Sequence, residues 1–327
     1  MIAVIGGSGF IGTRLCRRLF KKGLEFKILD IRKSNSYPQF HIYADVRDKE
    51  SLRQNLNGCD LIYNLAAIHR DDVTPKSLYY ETNVDGAKNL CEVADELGIR
   101  KVIFTSSVAV YGFAPIGTDE TGSINYFNDY GKSKYEAEVV YKEWFKHNPE
   151  NKTLVIVRPT VVFGEGNRGN VYNLLRQIAS GRFLMVGKGK NIKSMAYVEN
   201  VAAFLEYCTN FPHGFHLYNY VDKPDFDMNT VVRAVYKVLG KNPERMLRLP
   251  YWAGLVIGKF FDIASTITGK KFSISSIRIK KFCSNTSFNT SISKTGFIPP
   301  VSLLEGLEKT IKYEFVDKNI GETFYTE

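Results

Sequence analysis

A short apolar run leads directly into three spaced glycines at the start of this chain. Ile2-Ala3-Val4-Ile5 has the composition of a buried strand. Gly6, Gly9 and Gly12 follow in a GxxGxxG spacing, and the next residues to Lys22 carry helical periodicity. A strand that turns so tightly into a helix needs backbone without Cβ atoms at the turn. The free N–H groups at the start of that helix, around Phe10 and Ile11, then suit a pyrophosphate. A second apolar run ends on Asp30, at the separation expected of a carboxylate that holds ribose hydroxyls. That carboxylate favours NAD by repelling the 2′-phosphate of NADP, a preference that Arg32 and Lys33 nearby temper.

The first 160 or so residues continue the same alternation. Strands are expected at 2–5, 26–29, 40–44, 61–64, 101–105 and 154–157, and helices near 11–22, 77–97 and 130–146. This is the pattern of an α/β fold, a doubly wound parallel sheet of the Rossmann kind. Asp45 and Val46 follow the third strand, and Leu65, Ala66 and Ala67 follow the fourth. Small residues there let the adenine and the nicotinamide riboside pass close to the sheet edge. After Arg158-Pro159 the regularity loosens into loops rich in glycine and asparagine. The expected division is a nucleotide-binding domain over 1–163, with segments returning to it over about 194–222. Residues 164–327 then form mainly a smaller substrate-binding domain.

The chain has 327 residues, 44% of them hydrophobic, enough for a sizeable core. Five scattered cysteines, without a CxxC pair, suggest neither a disulfide framework nor a zinc site, and no metal is expected. The chain opens on a core strand without a charged leader, and no apolar run reaches the length of a membrane span. The net charge of +10 is uneven: residues 241–281 hold nine cations against two anions, a net +7. Such a patch suits an anionic membrane surface or a diphosphate substrate, or is simply solvated. No nucleic-acid recognition motif accompanies it, so nucleic acid is not an expected partner. Within that stretch, Tyr251 to Ala264 is apolar but broken by charge. It is expected either to lie in a membrane interface or to pack as a core or dimer helix.

Ser107 follows the fifth strand, and Tyr130 and Lys134 stand four apart on one helical face. A phenol with a pKa near 10 is a poor base at neutral pH. An adjacent ammonium and a positive nicotinamide ring both favour the phenolate, while a serine hydroxyl can hold the reacting oxygen. The expected catalytic group is therefore Ser107, Tyr130 and Lys134, acting in hydride chemistry on a carbinol.

These residues, with Asp45, Thr105 to Gly112, Arg158-Pro159 and Tyr197-Val198-Glu199-Asn200, resemble the extended short-chain dehydrogenase/reductase family of NAD-dependent sugar epimerases and dehydratases. The resemblance implies NAD as cofactor, Tyr130 as base, Ser107 as its partner and Lys134 as the tuning cation. It also implies a homodimer. Hexose 4,6-dehydratases of the family carry an Asp-Glu pair just after the hydroxyl residue, where this chain has Val108-Ala109. Neither moves a proton, which leaves 4-epimerisation, or oxidation or reduction at C4. Candidate substrate contacts are Ser107, His69, Arg168, Asn170, Lys193 and Arg278. Lys193 stands where relatives usually have arginine, and Val161 where several have asparagine.

Longer stretches resemble one bacterial subgroup, whose members epimerise N-acetylglucosaminyl-diphospho-undecaprenol to its N-acetylgalactosaminyl form for O-antigen assembly. They include His69 to Val73, Gly169 to Leu175, Tyr218 to Pro224, Ile267 to Lys271 and Ile279 to Cys283. The subgroup implies a cytoplasmic enzyme, peripheral on the inner face of the cell membrane. Two alternatives remain from the residues themselves: a soluble 4-epimerase or 4-dehydrogenase of UDP-linked N-acetylhexosamine, and a catalytically idle NAD-sensing protein on the same fold.

Overall fold

The computed structural model describes residues 1–70, 72–181, 183–242, 246–269, 275–317 and 321–325, without the side chains of Arg278 and Lys281. Its centre is a seven-stranded, all-parallel sheet. The strands that enter it first are β1 (Ile2–Ile5), β2 (Phe26–Asp30), β3 (His41–Tyr43), β4 (Leu61–Asn64), β5 (Lys101–Thr105) and β6 (Thr153–Pro159). Four short strands follow, β7 (Val161–Phe163), β8 (Met185–Val186), β9 (Ile192–Lys193) and β10 (Met195–Tyr197), and β11 (Gly214–Tyr220) completes the sheet. The spatial order is β11-β6-β5-β4-β1-β2-β3. Order therefore reverses between β1 and β4, and a doubly wound sheet opens a crevice at such a switch point.

Every residue of β1, β4 and β6 is buried, as expected of strands covered on both faces. Alternation divides them between two cores. Ile2 and Val4 face helices α1 (Phe10–Lys21) and α7 (Val198–Tyr207), where Leu15, Leu19 and Phe204 pack. Ala3 and Ile5 face α2 (Lys49–Leu56), α4 (Gly86–Glu96) and α5 (Asp129–Lys146), against Leu56, Leu90 and Tyr141.

Several expected boundaries move by a residue or two, and two changes go further. The helix foreseen over 77–97 is three pieces, α3 (Ser77–Tyr80), a π-helical turn (Glu81–Asp85) and α4. Asn83 within the π turn is buried, and its side-chain amide bonds both the N–H and the C=O of Ile68. Phe40 belongs not to β3 but to the 3-10 turn Pro38–Phe40, which proline initiates.

A third apolar cluster gathers α6 (Asn170–Ala179), α8 (Met228–Val238) and α11 (Leu303–Phe315) around Tyr197 and Phe163. Two further short strands, β12 (Phe226–Asp227) and β13 (Arg248–Leu249), pair with β9 and β8. Helices α9 (Tyr251–Thr268) and α10 (Ser276–Cys283) pack on one another beside them. Among the described residues, no helix is long and apolar enough to cross a membrane.

Candidate active site at the carboxyl ends of the strands

The glycine turn is a cradle that side chains would fill. Gly6 has φ +75°, and a Cβ there would lie 2.6 Å from the Ala66 nitrogen. A Cβ on Gly12 would lie 2.4 Å from the Gly6 oxygen. Gly9 is the N-cap of α1, and the first turn of that helix carries no acidic residue. Its N–H groups are thus left to an anion, which the helix dipole also favours. Asp30 stands at the end of β2, where its two oxygens accept from the N–H groups of Ser8 (3.0 Å) and Arg32 (2.9 Å). Asp45 forms a two-oxygen pair with Arg47, and those hydrogen bonds hold its carboxyl below the usual carboxylate range.

Above this turn lies a cavity of about 770 Å³. It is lined by Gly6, Gly9, Phe10, Ile11, Gly12, Asp30, Asp45, Val46, Leu65, Ala66 and Ala67, and also by Ser107, Tyr130 and Lys134. His69 and Asn170 line it too. The Thr105 hydroxyl, from the last residue of β5, is buried at this cavity without a protein hydrogen-bond partner. A cradle without Cβ atoms, free helical N–H groups, a fixed carboxylate and an orphaned hydroxyl together fit a dinucleotide such as NAD.

The order of these side chains follows from local geometry. Ser107 caps the 3-10 turn Val108–Tyr111, and its Oγ accepts the Ala109 N–H at 3.1 Å. Asn128 caps α5 by accepting from the Gly131 N–H at 2.9 Å, which sets Tyr130 in the first turn. A Cβ on Gly131 would stand 2.6 Å from the Ala109 oxygen, so glycine lets α5 close on the turn that carries Ser107. One turn on, Lys134 is 2% exposed, with its ammonium 4.2 Å from the centre of the Phe104 ring. Burial pushes its pKa down to about 7, against a smaller upward pull from Glu138.

Glu138, another turn along α5, anchors a buried network. It accepts from Ser106 Oγ (2.6 Å) and from Arg158 (2.8 and 2.5 Å), and Arg158 also donates to Tyr111 (2.6 Å). Tyr111 in turn donates to Asn219 (2.8 Å). The network ties β5, β6, β11 and α5 together behind the cavity. Val108 and Ala109 line the cavity in front of it.

Two expected substrate contacts, Arg168 and Lys193, are not part of the cavity lining. The Arg168 guanidinium pairs with Glu314 at 2.8 Å and lies over the Tyr172 ring at 4.2 Å. Lys193 donates to Thr286 at 3.3 Å, and it is Thr286 that reaches the cavity. The Arg278 side chain lies outside the described residues. Conversely, Thr286 and Phe288 enter the lining from far along the chain, and no local motif marks them. Thr105 could have been found, since it opens the Thr105-Ser106-Ser107 run.

The profile of the NAD dependent epimerase/dehydratase family matches residues 2–219. The chain is 49% identical to the N-acetyl-alpha-D-glucosaminyl-diphospho-ditrans,octacis-undecaprenol 4-epimerase of Escherichia coli O157:H7, over 100% of this chain and 99% of that protein. Among solved structures, MoeE5 in complex with UDP-glucuronic acid and NAD superposes with a TM-score of 0.74 at 21% identity, covering 95% of this chain and 98% of that one. The UDP-glucose 4-epimerase of Thermotoga maritima with UDP-glucose gives 0.74 at 20% identity, covering 95% and 97%. These two likenesses are of fold. On the profile match and the full-length identity, this chain belongs to the NAD-dependent epimerase/dehydratase family.

Proposed function

We propose that this chain is an NAD-dependent 4-epimerase that converts N-acetylglucosaminyl-diphospho-undecaprenol to its N-acetylgalactosaminyl epimer. The observation that carries the substrate is the 49% identity to the Escherichia coli undecaprenol-linked epimerase across the full chain. The chemistry is supported by the convergence of Ser107, Tyr130 and Lys134 on one cavity with the glycine turn.

The turn from Gly6 to Gly12 would hold the pyrophosphate of NAD, Asp30 the adenosine ribose, and Lys134 the nicotinamide ribose. NAD supplies the acceptor that takes the C4 hydrogen as hydride and later returns it. Tyr130 takes the O4 proton as the phenolate base. Ser107 Oγ already accepts the Ala109 N–H, which leaves its own proton to donate to O4. Once C4 is a ketone, the sugar turns to present its other face, and Tyr130 returns the proton to O4. The net change is an isomerisation that consumes nothing. Val108 and Ala109 carry no ionisable group where a dehydratase needs an acid and a base, so water is not lost from C5 and C6.

Residues 1–163 with about 194–222 would bind NAD, and 164–327 would mainly hold the sugar diphosphate. In this reading the protein is a homodimer on the cytoplasmic membrane face, serving O-antigen or other surface polysaccharide assembly.

The test supplies purified protein with N-acetylglucosaminyl-diphospho-undecaprenol in detergent and, separately, UDP-N-acetylglucosamine in buffer. N-acetylgalactosamine is expected from the lipid-linked sugar. Conversion of the UDP-sugar alone would replace this reading with a nucleotide-sugar epimerase. Tyr130→Phe should lose at least about a hundredfold in kcat while NAD stays bound; near-normal turnover would remove Tyr130 from the role of base.

A further inference from the structure

Helix α9 is built inside out. Its buried residues are Gly254 and Gly258. A Cβ on Gly254 would meet Val186 at 2.7 Å, and one on Gly258 would meet the Ser276 backbone at 2.8 Å. Glycine thus brings β8 and the start of α10 close to the helix axis, and Asp262 accepts the Ser276 N–H on the same side. The large side chains point the other way. Trp252, Val256, Phe260, Ile263 and Ile267 are 70, 61, 67, 61 and 78% exposed. At 100° per residue these five fall within one stripe, about 22 Å long. Ile277 of α10 is exposed as well, at 64%.

We propose that this stripe docks the protein on an anionic lipid surface, with the substrate cavity opening beside the bilayer. The inference rests on the lipid-diphosphate reading above and names the element that would serve it. Charge selects the occupant. Residues 241–281 carry a net +7, and Lys259 and Lys280 are exposed on the two helices concerned. An isologous contact between two copies would set those positive segments against each other, whereas an anionic bilayer attracts them. Tryptophan at one end of the stripe also suits the headgroup boundary. Continuity with the site supplies the second argument. Three residues after α10 ends at Cys283, Thr286 pairs its backbone with Ile192 (2.9 Å) and Ser194 (2.7 Å) and lines the cavity, as does Phe288. The helix pair is therefore joined directly to the cavity wall.

The test uses vesicles of phosphatidylethanolamine and phosphatidylglycerol, with phosphatidylcholine vesicles as control. The chain has two tryptophans, and Trp144 is 3% exposed, so a blue shift on adding vesicles reports Trp252. The full-length protein should shift and co-float with the anionic vesicles, less so in high salt. Phe260→Glu with Ile263→Glu should lower the bound fraction at least about tenfold. The same variant should lose turnover of the lipid-linked sugar in vesicles but keep it on a short-chain, water-soluble prenyl diphosphate analogue. Unchanged flotation and tryptophan emission would overturn the docking inference, as would a variant that loses only self-association. If the unsubstituted protein converts UDP-N-acetylglucosamine alone, the functional reading fails, and the vesicle measurements still decide the docking.

Discussion

Lys134→Met should make the NAD-free protein more stable at neutral pH while ending its turnover. The lysine is buried, and its pKa falls from the ordinary 10.5 to about 7. The folded-state value lies below the unfolded one, so between about pH 7 and 10.5 the unfolded chain holds the extra proton. Stability therefore rises with pH across that window, and the full cost of burying the ammonium is felt below it. A single site with these two values destabilises the fold by about 4 kcal/mol at pH 7 and about 2 kcal/mol at pH 9. Methionine fills the same channel without a charge. The gain from the substitution should thus shrink by about 2 kcal/mol between those two pH values.

The assay is urea denaturation of protein stripped of NAD, wild type beside variant, over that pH range. Added NAD should then stabilise the wild type more than the variant, since a ligand that contacts Lys134 acts through differential affinity for the folded state. A variant less stable than wild type at pH 7, or a stability gap that does not change with pH, would refute the reasoning. The cation would then be structural, held by the ring of Phe104 and by Glu138.

Three further substitutions probe the cradle and its support. Gly12→Ala should lose NAD on purification and cost roughly 1–3 kcal/mol, because the added carbon would lie 2.4 Å from the Gly6 oxygen; nucleotide released on denaturation measures the first. Glu138→Gln should destabilise by roughly 3–5 kcal/mol in chemical denaturation, since Arg158, 2% exposed, would face a neutral amide. Asp30→Asn removes a charge held by two backbone N–H groups and should raise the affinity for NADP relative to NAD at least about tenfold, or 1.4 kcal/mol, in a direct binding titration.

What could be read from the sequence was mostly short-range. The strand, turn and helix from Ile2 to Lys21 rest on contacts made within a few residues, and so does the pairing of Tyr130 with Lys134 across one helical turn. The parallel sheet followed because alternating strands and helices leave few ways to cover both faces. Partners far apart in the chain were not legible. Nothing near Arg168 in its glycine-rich loop announces its pairing with Glu314, 146 residues away. Nothing near Lys193 announces Thr286. The π turn at Glu81–Asp85 likewise exists beside a buried polar contact, between Asn83 and the backbone of Ile68, that no local propensity encodes.

Helix α9 separates what periodicity says from what it leaves open. The spacing of Trp252, Val256, Phe260, Ile263 and Ile267 says that five apolar side chains share a face. A core helix and a surface-docking helix both meet that condition, which is why the sequence alone supported either. The discriminating residues are the small ones. Gly254 and Gly258 stand one turn apart on the opposite face, and a helix offers glycine where another backbone must approach it closely. Once that face is taken by Val186 and Ser276, the aromatic and branched residues have only the outside left. A single-chain fold gains nothing from presenting them to water, so the stripe has to be explained by what covers it. The net +7 of residues 241–281, the segment that carries this helix, makes a second copy of the chain a poor candidate and an anionic bilayer a good one.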